Sequence, residues 1–378
     1  MKRALTLTSA IVLMLSISGV AASAAAAQSS SGTPKTGPSG DAFYNGKVPK
    51  HAKPGDIVWA TKMKAPKGTT AWKVLYVSKG LDGKPVTVSG IVVAPTGKAP
   101  KGGRPVITWA HGTTGVADKC TQSKASNAAK ALPFVNELTA AGDVVVATDY
   151  QGLGTPGRHP YLVGEVEGRG VLDMVRAANK IKAAGASKRT VIYGHSQGGH
   201  AALFAGQIAP KYAPDLQLLG DAAGAPVGDL KLLLGVASNI PAYLGLVVLG
   251  GEGFAAAYPE AKASLPQILT PQALKDAKVV DKECEDGVGK VFNKPAAQII
   301  AKNPAETPPW PALLTKNTPG YTKTKAPIFV FQGLADTLVP PFTTDAWNKR
   351  ACALGDTISY KQYPGQEHGP VLFAAKAD

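Results

Sequence analysis

In the stretch RTVIYGHSQGGHAALFAG (residues 189–206) a β-branched run stops at Gly194. Ser196 follows alone, and Gly198 and Gly199 precede a run of helical character. Small residues around a serine permit a sharp strand-to-helix turn that displays the hydroxyl above the carboxyl edge of a sheet. The N-terminus of the following helix then lies beneath it, where free N–H groups and the helix dipole favour developing negative charge. A G-x-S-x-G pattern alone is weak in a chain with 42 glycines, and an ordinary structural turn reads the same way.

A serine hydroxyl attacks only when a base takes its proton, and the base needs an orienting acid. The chain has six histidines. His195 is inside the turn and is expected to point away from the nucleophile, and His200 is on the helix that follows. His111 adjoins the glycine of another loop, and His51 and His159 precede the nucleophile strand. Taken in the order nucleophile, acid, base, one of the orders in which such triads occur, only His368 remains, in the loop GQEHGP. Of the carboxylates between Ser196 and His368, Asp336 alone directly follows a buried apolar strand, PIFVFQGLAD. Glu367, Asp345 and Asp356 flank other elements.

Acyl chemistry also needs donors for the oxyanion. One is expected from the backbone amide of Gln197, the residue after the nucleophile. The other is expected from the loop WAHGTTG, most simply the amide of Thr113. The Gly-rich segment TDYQGLGTPG lacks a dinucleotide fingerprint and reads as a pocket rim, with Tyr150 and Tyr161 as packing residues. No cysteine or histidine spacing suggests a metal site, and no cofactor is expected.

These residues must be positioned by a sheet. AWKVLYVSKG and VTVSGIVVAP, joined by LDGKP, read as a hairpin. GRPVITWAHG, DVVVATDY, RTVIYG, LQLLGDAAGAPV, APIFVFQGLADT and TISYKQYPGQEHG read as strands. LPFVNELTAAG, VEGRGVLDMVRAANKIKAAG, GGHAALFAGQIA and TDAWNKRACALG read as helices between them. This alternation predicts an α/β fold, a mostly parallel central sheet flanked by helices. Between about residues 229 and 321 the β pattern stops, so a mainly helical cap insertion is expected there. Its run LKLLLGVASNIPAYLGLVVLGG approaches the length of a membrane span, but Pro241, Asn239 and its glycines divide it, and it reads as two short helices.

The N-terminus has Lys2 and Arg3, an apolar run and a small-residue segment, read as a signal peptide over residues 1–27. Residues 28–40 read as a flexible leader and 41–378 as the folded domain. Removal of Lys2 and Arg3 lowers the formal charge from +15 to +13. The lysines are scattered through loops, which argues against nucleic acid as a partner. In an exported chain the three cysteines, Cys120, Cys284 and Cys352, suggest one disulfide and one thiol, and three pairings are open.

The motifs HGTTG, TDYQGLGTPG…PYLVGEVEGRGVLDMVRAA, GHSQGG, GLADTLVP and GQEHG, in this order, resemble the secretory lipase family of α/β-hydrolases. The resemblance implies a signal peptide, a triad of Ser196, Asp336 and His368, and a mainly helical cap over an acyl-binding pocket. It also implies a disulfide from the loop after the oxyanion strand to the cap, which fits Cys120 with Cys284 and leaves Cys352 unpaired.

The expected activity is that of a secreted serine lipase or carboxylesterase working through an acyl-enzyme on Ser196. The protein is expected to be a monomer without a membrane anchor after cleavage. The apolar cap run favours lipid esters and contact with a lipid interface. A peptidase or acyltransferase could use the same triad, and a non-catalytic surface-binding protein is the remaining alternative.

Overall fold

The computed structural model describes residues 34–378. The signal peptide and residues 28–33 of the leader lie outside them. From Pro34 onward, Lys35 and Gly37 of the segment read as leader bond to the first strand, through the Ala60 amide and the Thr61 hydroxyl.

The chain opens with β1 (Ile57–Met63), β2 (Thr69–Lys79), β3 (Pro85–Pro95) and β4 (Arg104–Ala110). Helices α1 (Ala128–Ala131) and α2 (Val135–Ala140) lead to β5 (Val144–Thr148). Then come α3 (Gly164–Asn179), β6 (Ala186–His195), α4 (Gln197–Tyr212) and β7 (Gln217–Gly224). The sheet order is β1-β2-β3-β5-β4-β6-β7-β8-β9, with β8 (Ile328–Gly333) and β9 (Ile358–Tyr363) separated by α11 (Pro341–Ala353). From β5 to β9 all neighbours are parallel, while β1, β2 and β3 form an antiparallel edge. The expected hairpin is β2–β3, paired in register from Thr69↔Pro95 to Lys79↔Pro85.

β5 shows why both faces are covered. Its side chains alternate, so Val144 and Val146 meet Met174, Val175 and Ala178 of α3, whereas Val145 and Ala147 join Val135 of α2 on the other side. On that second face lies α12 (Val371–Ala374) as well. A strand buried on both faces must be apolar throughout, as VVVAT nearly is.

The sequence reading did not include β1. It is an edge strand, half-exposed and interrupted by a bulge between Ile57 and Trp59, so it lacks the alternation of the buried strands.

Between β7 and β8 the chain forms α5 (Leu230–Ala237), α6 (Leu244–Ala257), α7 (Pro271–Asp276), α8 (Glu285–Phe292), α9 (Ala296–Ile299) and α10 (Trp310–Lys316). The long apolar run is two helices, α5 and α6, joined by a single turn at Pro241–Tyr243. No helix among the described residues is long and apolar enough to cross a membrane. Val247, Val248 and Leu249 of α6 are buried with Tyr161, Leu162 and Val166, so most of that apolarity packs the insertion onto the main body. On this pair of helices, the large apolar side chains most open to solvent are Leu232 and Val236 of α5.

Candidate active site

Parallel strands place all their carboxyl ends on one sheet edge, so the loops after β4, β6, β8 and β9 converge. β6 hands over to α4 at Ser196, whose backbone is at φ 61° and ψ −122°, a region that L-residues rarely adopt. The neighbours make that turn possible. A Cβ on Gly194 would stand 2.1 Å from the Gly198 carbonyl oxygen, and one on Gly198 would stand 1.8 Å from the Ala110 carbonyl oxygen. Ser196 is half-buried, while residues 194–195 and 197–200 around it are buried. Its amide donates to the Gly224 carbonyl at 2.9 Å and its carbonyl accepts the first α4 bond from His200, fixing the turn on both sides.

Asp336 follows β8 by a tight turn, its amide bonding the Gly333 carbonyl. One carboxylate oxygen accepts from the amides of Leu338 and Val339 at 2.9 and 2.8 Å. The other accepts from Gln332 Nε2 at 3.1 Å and from His368 Nδ1 at 2.7 Å. The proton is therefore on Nδ1 of His368, and Nε2 is left as the basic nitrogen. His368 is tied to the serine turn through His195, whose Nε2 donates to the His368 carbonyl at 2.8 Å. His195 thus does not point idly away: it braces the loop of the expected base.

The loop after β4 lies over the same turn. A Cβ on Gly112 would be 3.6 Å from Ser196 Cβ, in ordinary contact. Thr113 hydrogen-bonds through its hydroxyl to Tyr161 at 2.7 Å, and Tyr150 donates to the His111 carbonyl at 3.0 Å. The two tyrosines read as packing residues therefore also hold this loop. Gln197 is the first residue of α4, so its backbone N–H has no carbonyl one turn earlier to bond. Its side chain turns inward to Glu167 and His159.

The remaining histidines near the turn are committed elsewhere. His111 Nδ1 is 2.7 Å from the Gly112 carbonyl, and burial lowers its basicity. His159 donates to the Gln151 carbonyl, and burial pushes it down to about 4. His200 is enclosed between Glu167 and the Asn317 carbonyl. Sequence reasoning missed Glu167. It lies four residues before Val171 on the buried face of α3, and a carboxylate at that helical position was the available signal.

Cys120 and Cys284 form a disulfide, and Cys352 is a free, exposed thiol. Cys284 stands at the start of α8, and the adjoining Glu285 amide donates to the Thr114 carbonyl at 2.9 Å. The cap is thus fastened to the loop that carries Thr113. A cleft of about 360 Å³ opens here between Tyr243 and Leu246 of the cap, Glu285, and Leu338 beside Asp336. Burial raises the Glu285 carboxyl to about 7, with Asp286 adding to the effect. A larger cleft of about 720 Å³, lined by Leu81, Arg158 and Glu260, contains none of these residues.

Comparison with solved structures shows the same fold. Candida antarctica lipase A in its closed state superposes with a TM-score of 0.73 at 20% identity, covering 87% of this chain and 81% of that one. A rice cell wall degrading esterase from Xanthomonas oryzae superposes with a TM-score of 0.71 at 18% identity, covering 84% and 93%. In sequence, a secreted triacylglycerol lipase of Malassezia globosa is 27% identical over 311 residues, 73% of this chain, and this chain spans 64% of that protein's length. A probable inactive lipase of Mycobacterium tuberculosis is 27% identical over 363 residues, covering 88% and 78%. The family profile of secretory lipases matches residues 121–376, a range that holds Ser196, Asp336 and His368. The chain belongs to the secretory lipase family.

Proposed function

We propose that this protein is a secreted serine hydrolase of carboxylic esters, with lipid acyl esters as its substrates. The observation that carries the reading is the 2.7 Å contact from Asp336 to His368 Nδ1, on the sheet edge where Ser196 is displayed. Because one relative is described as a probable inactive lipase, family membership alone does not assign activity. The assignment rests on the presence of all three residues in this chain.

In the proposed cycle, His368 Nε2 takes the Ser196 proton as Oγ attacks the ester carbonyl. The carbonyl oxygen becomes negative and is met by the amides of Gln197 and Thr113. His368 returns the proton to the leaving alcohol, and water repeats the sequence on the acyl-enzyme. Each oxyanion donor contributes on the order of 3 kcal/mol to the lowered barrier. Asp336 keeps the imidazole in the Nδ1–H tautomer and stabilises it when it charges.

Tyr243, Leu246 and Leu338 give the cleft between the cap and the Asp336 loop one apolar side, and Glu285, Asp286 and Lys290 line the rest. Leu232 and Val236, open on α5, offer contact with a lipid interface. Hydrolysis of p-nitrophenyl esters from acetate to palmitate by the mature protein tests the reading. Rates that persist or rise beyond C8 support a lipid substrate. Activity confined to acetate and butyrate would sink the lipid part, and no hydrolysis of any ester would sink the whole.

A further inference from the structure

We propose that Glu167, paired with His200 beneath the nucleophile turn, is a positioning residue that aims the backbone amide of Gln197 at the reacting carbonyl oxygen. This rests on the hydrolase reading above.

Glu167 and His200 both have side chains without solvent exposure, and Glu167 Oε2 is 3.1 Å from His200 Nδ1. The other ring nitrogen, Nε2, is 2.7 Å from the Asn317 carbonyl oxygen. A carbonyl can only accept, so Nε2 carries a proton. Nδ1 and the Glu167 carboxylate share a hydrogen bond inside the core, so both ring nitrogens of His200 are engaged. Burial alone would raise the Glu167 carboxyl, but the hydrogen bonds it accepts from His200 and Gln197 hold it below its ordinary range.

The second carboxylate oxygen, Oε1, accepts from Gln197 Nε2 at 2.7 Å and from the Leu162 amide at 2.9 Å. The remaining proton of the Gln197 side-chain amide meets His159 Nε2 at 3.1 Å. His159 can accept there because it is neutral, with Nδ1 donating to Gln151. The Gln197 side chain is therefore held in one orientation. Flipped, its oxygen would face a carboxylate.

A buried carboxylate and its polar partners carry a desolvation cost that an apolar core would not. Here it fixes the side chain of the residue that supplies an expected oxyanion donor, and so adds to the His200 amide bond that holds the Ser196 carbonyl of the same peptide. A displacement of about 1 Å in a positioned group can cost on the order of 100-fold in rate. The pair also reaches the end of the cap, since Asn317 closes α10 and accepts from the Gly164 amide.

The test compares an oxoester with its thionoester, whose sulfur gains far less from hydrogen-bond donors. Glu167→Gln keeps the volume and removes the charge. Gln197→Met keeps the backbone amide and removes the anchor while leaving the Glu167–His200 pair in place. Each is expected to lower kcat for the oxoester about 10- to 100-fold at unchanged KM, with little change for the thionoester. The double variant should lose little more than either single one. Should E167Q fail to fold, Q197M alone reads the same ratio. A wild type that hydrolyses esters and reacts with a fluorophosphonate, but whose oxoester-to-thionoester ratio survives both substitutions, overturns this proposal alone. A wild type that does neither overturns the hydrolase reading with it.

Discussion

The imidazole of His195 lies against that of His368, ring centroids 4.7 Å apart, and its Nε2 donates to the His368 carbonyl oxygen. The residue that precedes the expected nucleophile therefore grips the backbone of the expected base. Two loops that follow different strands, β6 and β9, are locked at the one place where their side chains must meet.

Replacing His195 by Ala removes this brace without touching the three proposed catalytic residues. The expected result is a kcat lowered about tenfold or more with KM little changed, because the base is misplaced rather than the substrate released. Steady-state kinetics on a soluble ester check it. An unchanged kcat would show that the His368 loop holds its place unaided.

Two buried rings should cost the protein stability in acid over a defined window, against buried carboxyls such as Glu285 whose raised affinity for protons works the other way. Burial pushes His195 and His159 down to about 4, against an ordinary value near 6.5. The unfolded chain thus binds protons that the native state refuses, and stability is lost as the pH falls from about 6.5 toward 4. The loss is on the order of 3 kcal/mol for each ring. The difference between wild-type and variant urea midpoints at pH 7 and 4.5 isolates the share of one ring. His195→Gln, which takes up no proton, should make the fall in midpoint shallower.

Reduction of Cys120–Cys284 should act on stability and activity together. The bond closes a sequence separation of 164 residues, so its removal frees the unfolded chain and costs about 3–5 kcal/mol. It also frees the cap from the Thr113 loop. Cys120→Ala with Cys284→Ala is expected to lower both the melting temperature and kcat. Native protein should react with one equivalent of a thiol reagent, at Cys352, and reduced, unfolded protein with three.

At Gly198 there is no room for a methyl group: the Cβ would fall 1.8 Å from the Ala110 carbonyl oxygen. Gly198→Ala must push β4 away from the turn, and an inactive, strongly destabilised protein is expected. Soluble G198A protein with wild-type kinetics would mean that the turn is built differently.

Much of this site can be read from residue order. Asp336 was legible as the carboxylate after the apolar strand β8 and His368 as the histidine after the last strand, β9, because parallel strands deliver the loops at their carboxyl ends to one edge. The nucleophile turn was legible from glycines whose side-chain positions are occupied by backbone. Glu167 was not. Glu165, two residues away, is a solvent-facing partner of Arg169, and acid residues on a helix look alike until helical phase separates them. The role of His195 was hidden for another reason, since its partner is a backbone atom 173 residues away. The apolarity of α6 has a structural use that the sequence did not show: much of it packs the insertion onto Tyr161, Leu162 and Val166.

Ser196 is the proposed nucleophile, and labelling with an active-site-directed fluorophosphonate followed by peptide mass mapping identifies the residue that reacts. One adduct per chain is expected, on Ser196, with labelling abolished in Ser196→Ala and ester hydrolysis reduced by about 10⁵-fold or more while the melting temperature is retained. An adduct on another residue, or hydrolysis that survives in S196A, would contradict this assignment.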